Sequence, residues 1–125
     1  MLRRSFLAAF AALVAALGAQ RTQAAPPAHE LSRIERLIRF VETQKDMKFI
    51  RNGTEYSCAD AAKFLRGKME AMGGEVATAR DFIERIATKS SMSGQPYHVK
   101  FADGKLIPAA QFLGDELKRM EARPA

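Results

Sequence analysis

The stretch Met47-Lys48-Phe49-Ile50-Arg51-Asn52-Gly53-Thr54-Glu55-Tyr56-Ser57 governs how the rest of the chain is read. Two short β-prone runs flank Asn52-Gly53. An Asn-Gly pair suits a type I′ turn, because both central residues of that turn need positive φ. Ser57 then opens Ser57-Cys58-Ala59-Asp60, a capping-box pattern with the shorter acid. The hairpin is therefore expected to run straight into a helix. Ala61, Phe64, Leu65, Lys68, Met69 and Met72 recur along it at helical spacing until Gly73-Gly74 ends it. Upstream, Leu31, Ile34, Leu37, Ile38 and Val41 mark an amphipathic helix over residues 30–44, with Arg33, Arg36 and Arg39 on its other faces.

The same order returns in the second half. Thr78-Ala79-Arg80-Asp81 is another box-like cap, followed by Phe82, Ile83, Ile86 and Ala87 at helical spacing. Residues 90–96 form a loop rich in small side chains. Residues 97–101 read as a strand, Asp103-Gly104 as a tight turn and Leu106-Ile107 as its partner. Pro108 suits the first turn of a helix carrying Phe112, Leu113, Leu117 and Met120. Letters repeat as well. Ile34-Glu35-Arg36 matches Ile83-Glu84-Arg85, Ala61-Ala62-Lys63-Phe64-Leu65 matches Ala109-Ala110-Gln111-Phe112-Leu113, and Gly53 and Gly104 occupy the two turns. A lone hairpin is marginal in water. Both hairpins are therefore expected in one small antiparallel sheet packed by about four helices, an α+β fold with a duplicated helix–β-hairpin–helix unit over residues 30–122.

The first residues carry an address. Arg3 and Arg4 precede an uncharged, alanine-rich apolar run over residues 6–19, with Thr22 and Ala24 at the −3 and −1 positions of a cleavage site. That order predicts a secretory signal peptide over residues 1–24. The run is shorter than the roughly 20 residues of a membrane-spanning helix. Arg3-Arg4-Ser5-Phe6-Leu7 fits a twin-arginine signal as well as a Sec signal. Residues 25–29 read as a flexible leader. The expected location is the periplasm, with no stable membrane anchor after cleavage. The whole chain has 20 basic and 14 acidic residues, a net charge of +6. Arg3, Arg4 and Arg21 fall in the signal, which holds no acid, so the remainder carries +3. That balance gives no argument for nucleic acid. One cysteine, Cys58, excludes an internal disulfide, so packing alone must hold the domain.

Specific chemistry is sparse. The sequence has no glycine-rich phosphate loop, no Cys/His metal spacing and no Gly-x-Ser-x-Gly elbow, so no metal and no cofactor is expected. Four weaker features stand out. Ser90, Ser91 and Ser93, with Gly94 and Tyr97, offer hydroxyls for an anion or polar ligand, and His98 sits beside them; the plainer reading is a connection whose serines satisfy the preceding helix's carbonyls. Arg51, beside Asn52 and Tyr56, offers a forked donor to a carboxylate or to the facing hairpin. Cys58, in a first helical turn, has its thiol pKa lowered by the helix dipole if exposed, and is a small packing residue if buried. Met47, Met69, Met72, Met92 and Met120 are scattered, and packing explains them better than copper(I).

Three motifs together resemble a family of small exported bacterial proteins whose domain has no assigned function. They are Phe49-Ile50-Arg51-Asn52-Gly53 with Glu55-Tyr56, then Thr78-Ala79-Arg80-Asp81-Phe82-Ile83, then Ser90-Ser91-Met92-Ser93-Gly94-Gln95-Pro96-Tyr97. The resemblance spans residues 34–117 and implies a periplasmic domain without supplying an activity. It also implies cysteines in some relatives at the places of Met47 and Phe101, and hence neighbouring hairpins, with apolar packing serving here instead. The expected function is a non-catalytic binding or envelope-accessory module for an envelope protein or small ligand. The alternative is a small hydrolase or transferase using Ser91 or Ser93 with His98, which requires nucleophile and base within about 3 Å.

Overall fold

A computed structural model describes residues 26–123, so the signal reading and Ala25 lie outside the described residues. Helix α1 (Ala28–Glu42) leads into strands β1 (Lys48–Arg51) and β2 (Thr54–Ser57), then helix α2 (Cys58–Met72) and a 3₁₀ turn (Gly73–Glu75). Helix α3 (Ala79–Arg85), strands β3 (His98–Lys100) and β4 (Leu106–Pro108) and helix α4 (Ala109–Ala122) complete the second half. The first helix begins two residues earlier than its apolar spacing indicated, because Pro27 starts it and its carbonyl accepts from the amides of Glu30 and Leu31.

The strands form one antiparallel sheet in the order β2-β1-β3-β4. Each hairpin thus lends its first strand to the centre, where Phe49 pairs with Val99. Continuing that register one step beyond Lys48 and Lys100 sets Met47 against Phe101. Met47 is buried and Phe101 packs against the same core, so the hairpins are neighbours and apolar contact joins them. Alternation along the strands gives the sheet two unlike faces. Phe49, Tyr97 and Val99 point into the core, while Lys48, Glu55 and Lys100 face outward, with Lys100 Nζ 2.9 Å from a Glu55 carboxylate oxygen.

Local chemistry behaves as the caps and turns require. Asn52 and Gly53 have φ of 50° and 78°, the type I′ signature. Ser57 Oγ accepts from the Asp60 amide at 3.1 Å, and Thr78 Oγ1 from the Asp81 amide at 3.0 Å. The second hairpin turns through one more residue. Phe101 and Lys105 close it, and Gly104 takes φ of 91°. Gly73 ends α2 with φ of −84°, so the stop is a tightening into 3₁₀ geometry rather than a left-handed glycine cap. Glycine has a cost elsewhere. Gly114 lies inside α4, where an added Cβ meets nothing within 4 Å. Gly114→Ala should raise stability by about 1 kcal/mol, seen in thermal denaturation as an increase of roughly 4–8 °C.

The duplication holds in architecture but not in the register of its repeated letters. Matching the hairpins on their closing pairs, Arg51 with Thr54 and Phe101 with Lys105, makes Arg51 the counterpart of Phe101 and Ser57 that of Pro108. Cys58, Ala61 and Ala62 then correspond to Ala109, Phe112 and Leu113, and all six are buried. The shared run Ala61–Leu65 and 109–113 is therefore displaced by three residues, nearly one helical turn. The letters repeat because the apolar stripe does. The helices before the hairpins differ as well. In the first half residues 43–47 join helix to strand, whereas the short α3 is followed by residues 86–97. The serine loop is extra chain peculiar to the second copy.

Candidate functional site

Two adjoining clefts open beside the first hairpin. The smaller, about 210 Å³, is lined by Phe49, Arg51, Tyr56, Asp60, Ala61 and Phe64. The larger, about 490 Å³, is shared among the first hairpin, α2 and the serine loop, and includes Lys68, Gly67, Met72, Ser90 and Tyr97. Arg51 and Phe64 border both, so the two clefts form one groove with a waist.

The waist is built from β1 and α2. Arg51 lies on the core-facing side of β1, and its guanidinium carbon sits 4.3 Å from the Phe64 ring centre and 5.2 Å from that of Tyr56. Its Nη2 donates to Tyr56 Oη at 3.3 Å. Stacking occupies the faces of the guanidinium and leaves most in-plane N–H groups available. Arg51 makes no ion pair among the described residues, and its hydrogen bond to Tyr56 stays within its own hairpin.

Lys68 is the second cation. It sits on the apolar stripe of α2 and is only 8% exposed. Its Nζ donates to the Lys89 carbonyl at 2.8 Å and to Tyr97 Oη at 3.0 Å. It also lies 4.9 Å from the Tyr97 ring centre. No carboxylate pairs with it among the described residues. Burial, and then the like charge of Arg51, hold its ammonium below the usual 10.5. Burial pushes the Tyr97 phenol above its usual 10, with Arg51 opposing. The sequence placed Lys68 on the stripe without assigning it a role. A lysine at a core position of an amphipathic helix was the available signal, since lysine is almost never fully buried without partners.

The serines hold the loop as well as bordering the groove. Ser90 is buried, and its Oγ accepts from the amides of Met92 and Ser93, both at 3.3 Å, and from Asn52 Nδ2 at 3.5 Å. Ser93 Oγ donates to Asn52 Oδ1 and accepts from the Gln95 amide. These hydroxyls tie the loop to itself and to the hairpin turn, while Thr88 Oγ1 donates to the helical carbonyl of Ile83. Ser91 is exposed, with its Oγ 3.6 Å from Met72 Sδ. Met72 and Met92, 50% and 98% exposed, stand on the groove wall, whereas Met47 and Met120 are buried in the core.

Arg51, Asn52, Tyr56, Ser90, Ser91 and Tyr97 thus come together around one groove, with Ser93 behind it holding Asn52. His98 does not join them. It follows Tyr97 on β3 and faces the opposite side of the sheet, and no hydrogen bond links it to Ser91 or Ser93 among the described residues. Cys58 is buried, with Sγ 3.4 Å from the Met47 carbonyl, and burial pushes its thiol up, Lys48 opposing. Removal from water outweighs the helix end here, which makes it a poor nucleophile. Among the described residues, no group of three His, Cys, Asp or Glu side chains is placed to hold a metal ion, and no helix is long and apolar enough to cross a membrane.

Comparison with known proteins agrees on family and is silent on activity. The chain is 37% identical over 70 residues to the uncharacterized protein YfeK of Salmonella typhimurium, covering 56% of this chain. The matched part is 58% of that relative's own length. No solved structure matches. A family model of unknown function, DUF5329, matches residues 28–121, from the first residue of α1 to the last turn of α4, and the chain belongs to that family.

Proposed function

We propose that this chain is an exported, non-catalytic binding module that receives a small ligand in the groove between its first hairpin, α2 and the serine loop. One observation carries the reading. In the second half, Phe101 and Phe112 meet edge to face at 6.4 Å, and Phe112 stacks on Phe40 at 5.1 Å, which closes that end of the core. Their first-half counterparts are Arg51 and Ala61, and there the corresponding place is hollow. A fold that fills one copy of a site and leaves the other open, with a cation across it, has the form of a binding pocket. The signal over residues 1–24 supports export, and the separation of His98 from the serines favours binding over Ser–His chemistry.

The test uses the chain's own symmetry. Ala61→Phe copies Phe112 into the small cleft, and Gly67→Leu projects into the large one, where an added Cβ meets nothing within 4 Å. Native mass spectrometry of protein purified from its own host should show an adduct of defined mass on the wild type. Both variants should lose it while keeping the wild-type circular dichroism spectrum. A wild type that carries no adduct, or folded variants that retain it, would overturn the reading.

A further inference from the structure

We propose that the ligand carries an oxyanion, a carboxylate or phosphate, on an apolar body, and that Arg51 and Lys68 together receive the charged end. The inference rests on the binding reading above and specifies what is bound. Two cations line the larger cleft, Arg51 at the waist and Lys68 beyond it, and neither has an acid partner among the described residues. Lys48, Lys63 and Lys89 also lack an acid partner among the described residues, but all three are exposed to water, and two other cations are matched. Lys100 meets Glu55, and Arg66 meets Glu35 and Glu42. The unmatched pair also costs the most to leave so, because Lys68 is largely removed from water and Arg51 is held against aromatic rings.

Donor geometry points the same way. An ammonium has three N–H groups. Lys68 commits one to the Lys89 carbonyl and one to Tyr97 Oη, leaving one. Arg51 keeps in-plane donors beyond the one given to Tyr56. Both side chains border the larger cleft, so a single oxyanion at the waist meets donors of both. Asp60, on the wall of the smaller cleft, disfavours an anion deep on that side. The anion therefore sits at the waist, and the body extends along Phe64, Met72, Tyr97 and Met92, which supply an apolar wall.

Four probes separate the parts of this proposal: octanoate, octyl phosphate, 1-octanol and inorganic phosphate, each titrated into the mature protein and followed by amide shifts at Gly67, Ser90 and Ser91. Octanoate or octyl phosphate should bind at least about tenfold more tightly than 1-octanol, and the loss of one charged hydrogen bond in Lys68→Met or Arg51→Gln should weaken that binding about tenfold or more. The comparison among probes needs no variant, so it stands even if a substitution impairs folding. Equal binding of 1-octanol would overturn the charge assignment and leave the groove reading intact. Inorganic phosphate binding as tightly as octyl phosphate would overturn the apolar body. Folded variants that bind the anions as the wild type does would overturn the roles of Arg51 and Lys68. No shift at the groove with any probe would overturn this inference, while the adduct on the wild type decides the binding reading separately.

Discussion

Tyr97→Ala is expected to cost about 3–5 kcal/mol, a large part of the 5–15 kcal/mol that holds a typical domain together. Tyr97 is 1% exposed and among the largest fully buried side chains. Its ring lies 5.4 Å from Phe49 and 5.8 Å from Phe64, so it joins the sheet to α2. Its carbonyl also accepts the first amide of α4 at 2.9 Å, through backbone that alanine would keep. Urea denaturation followed by circular dichroism measures the loss; an unchanged midpoint would contradict the packing described. Tyr97→Phe isolates the hydroxyl. It keeps the ring but leaves the Lys68 ammonium one acceptor fewer, for an expected cost of about 1–3 kcal/mol.

That variant has a pH signature whose sign follows from linkage. Lys68 has its folded pKa below 10.5, so the unfolded chain holds a proton the folded chain has released, and stability from this group rises as pH climbs from the folded value to 10.5. Tyr97 has its folded pKa above 10, so its contribution is lost as pH rises through 10. The two oppose each other in the wild type around pH 10. In Tyr97→Phe the second is gone, so the variant's deficit should shrink as pH rises through 10. A deficit that widens would contradict the assignment.

Glu30→Ala carries the second large effect, about 1.5–3 kcal/mol, because a buried amide loses a charged acceptor. Glu30 is 9% exposed in the first turn of α1, and its Oε1 accepts from the Ala79 amide, the first of α3, at 2.8 Å. Its other oxygen lies 3.2 Å from Arg33 Nη1. A side chain from one half thus caps a helix of the other, with the favourable sign for a helix N-terminus. Glu30→Gln keeps an acceptor and should recover most of the loss. Equal midpoints for the alanine variant and the wild type would mean that the cap contributes nothing.

The sequence was legible wherever the physics is local. Asn52-Gly53 needs only its own φ values, and the caps at Ser57 and Thr78 need only an amide three residues on, so turn and helix starts were read directly. The pairing of the two hairpins followed from the instability of either alone. The site was legible in its members but not in its logic. Arg51 was picked out, yet its stacking on Phe64 depends on how α2 crosses the sheet. Lys68 was counted as stripe, because its partners Lys89 and Tyr97 lie 21 and 29 residues away. The serines drew attention as a hydroxyl cluster, but the contact 41 residues back, from Ser93 to Asn52, which ties the loop to the first hairpin, could not be read from the loop alone. The repeated letters misled for a physical reason: an amphipathic helix matches itself about one turn out of register nearly as well as in register.

The sheet order has a kinetic consequence. Each hairpin closes on near neighbours and can form within about 1–10 μs. The central ladder cannot, because Phe49 must find Val99, and two outer strands depend on that one pairing. The slow event in folding is therefore expected to be the meeting of the two halves, neither of which is stable alone, and topology of this kind lowers folding rates. A chain cut between α2 and α3 would leave each half with an open inner edge whose natural complement is the other half, so the fragments should reassociate rather than stand alone.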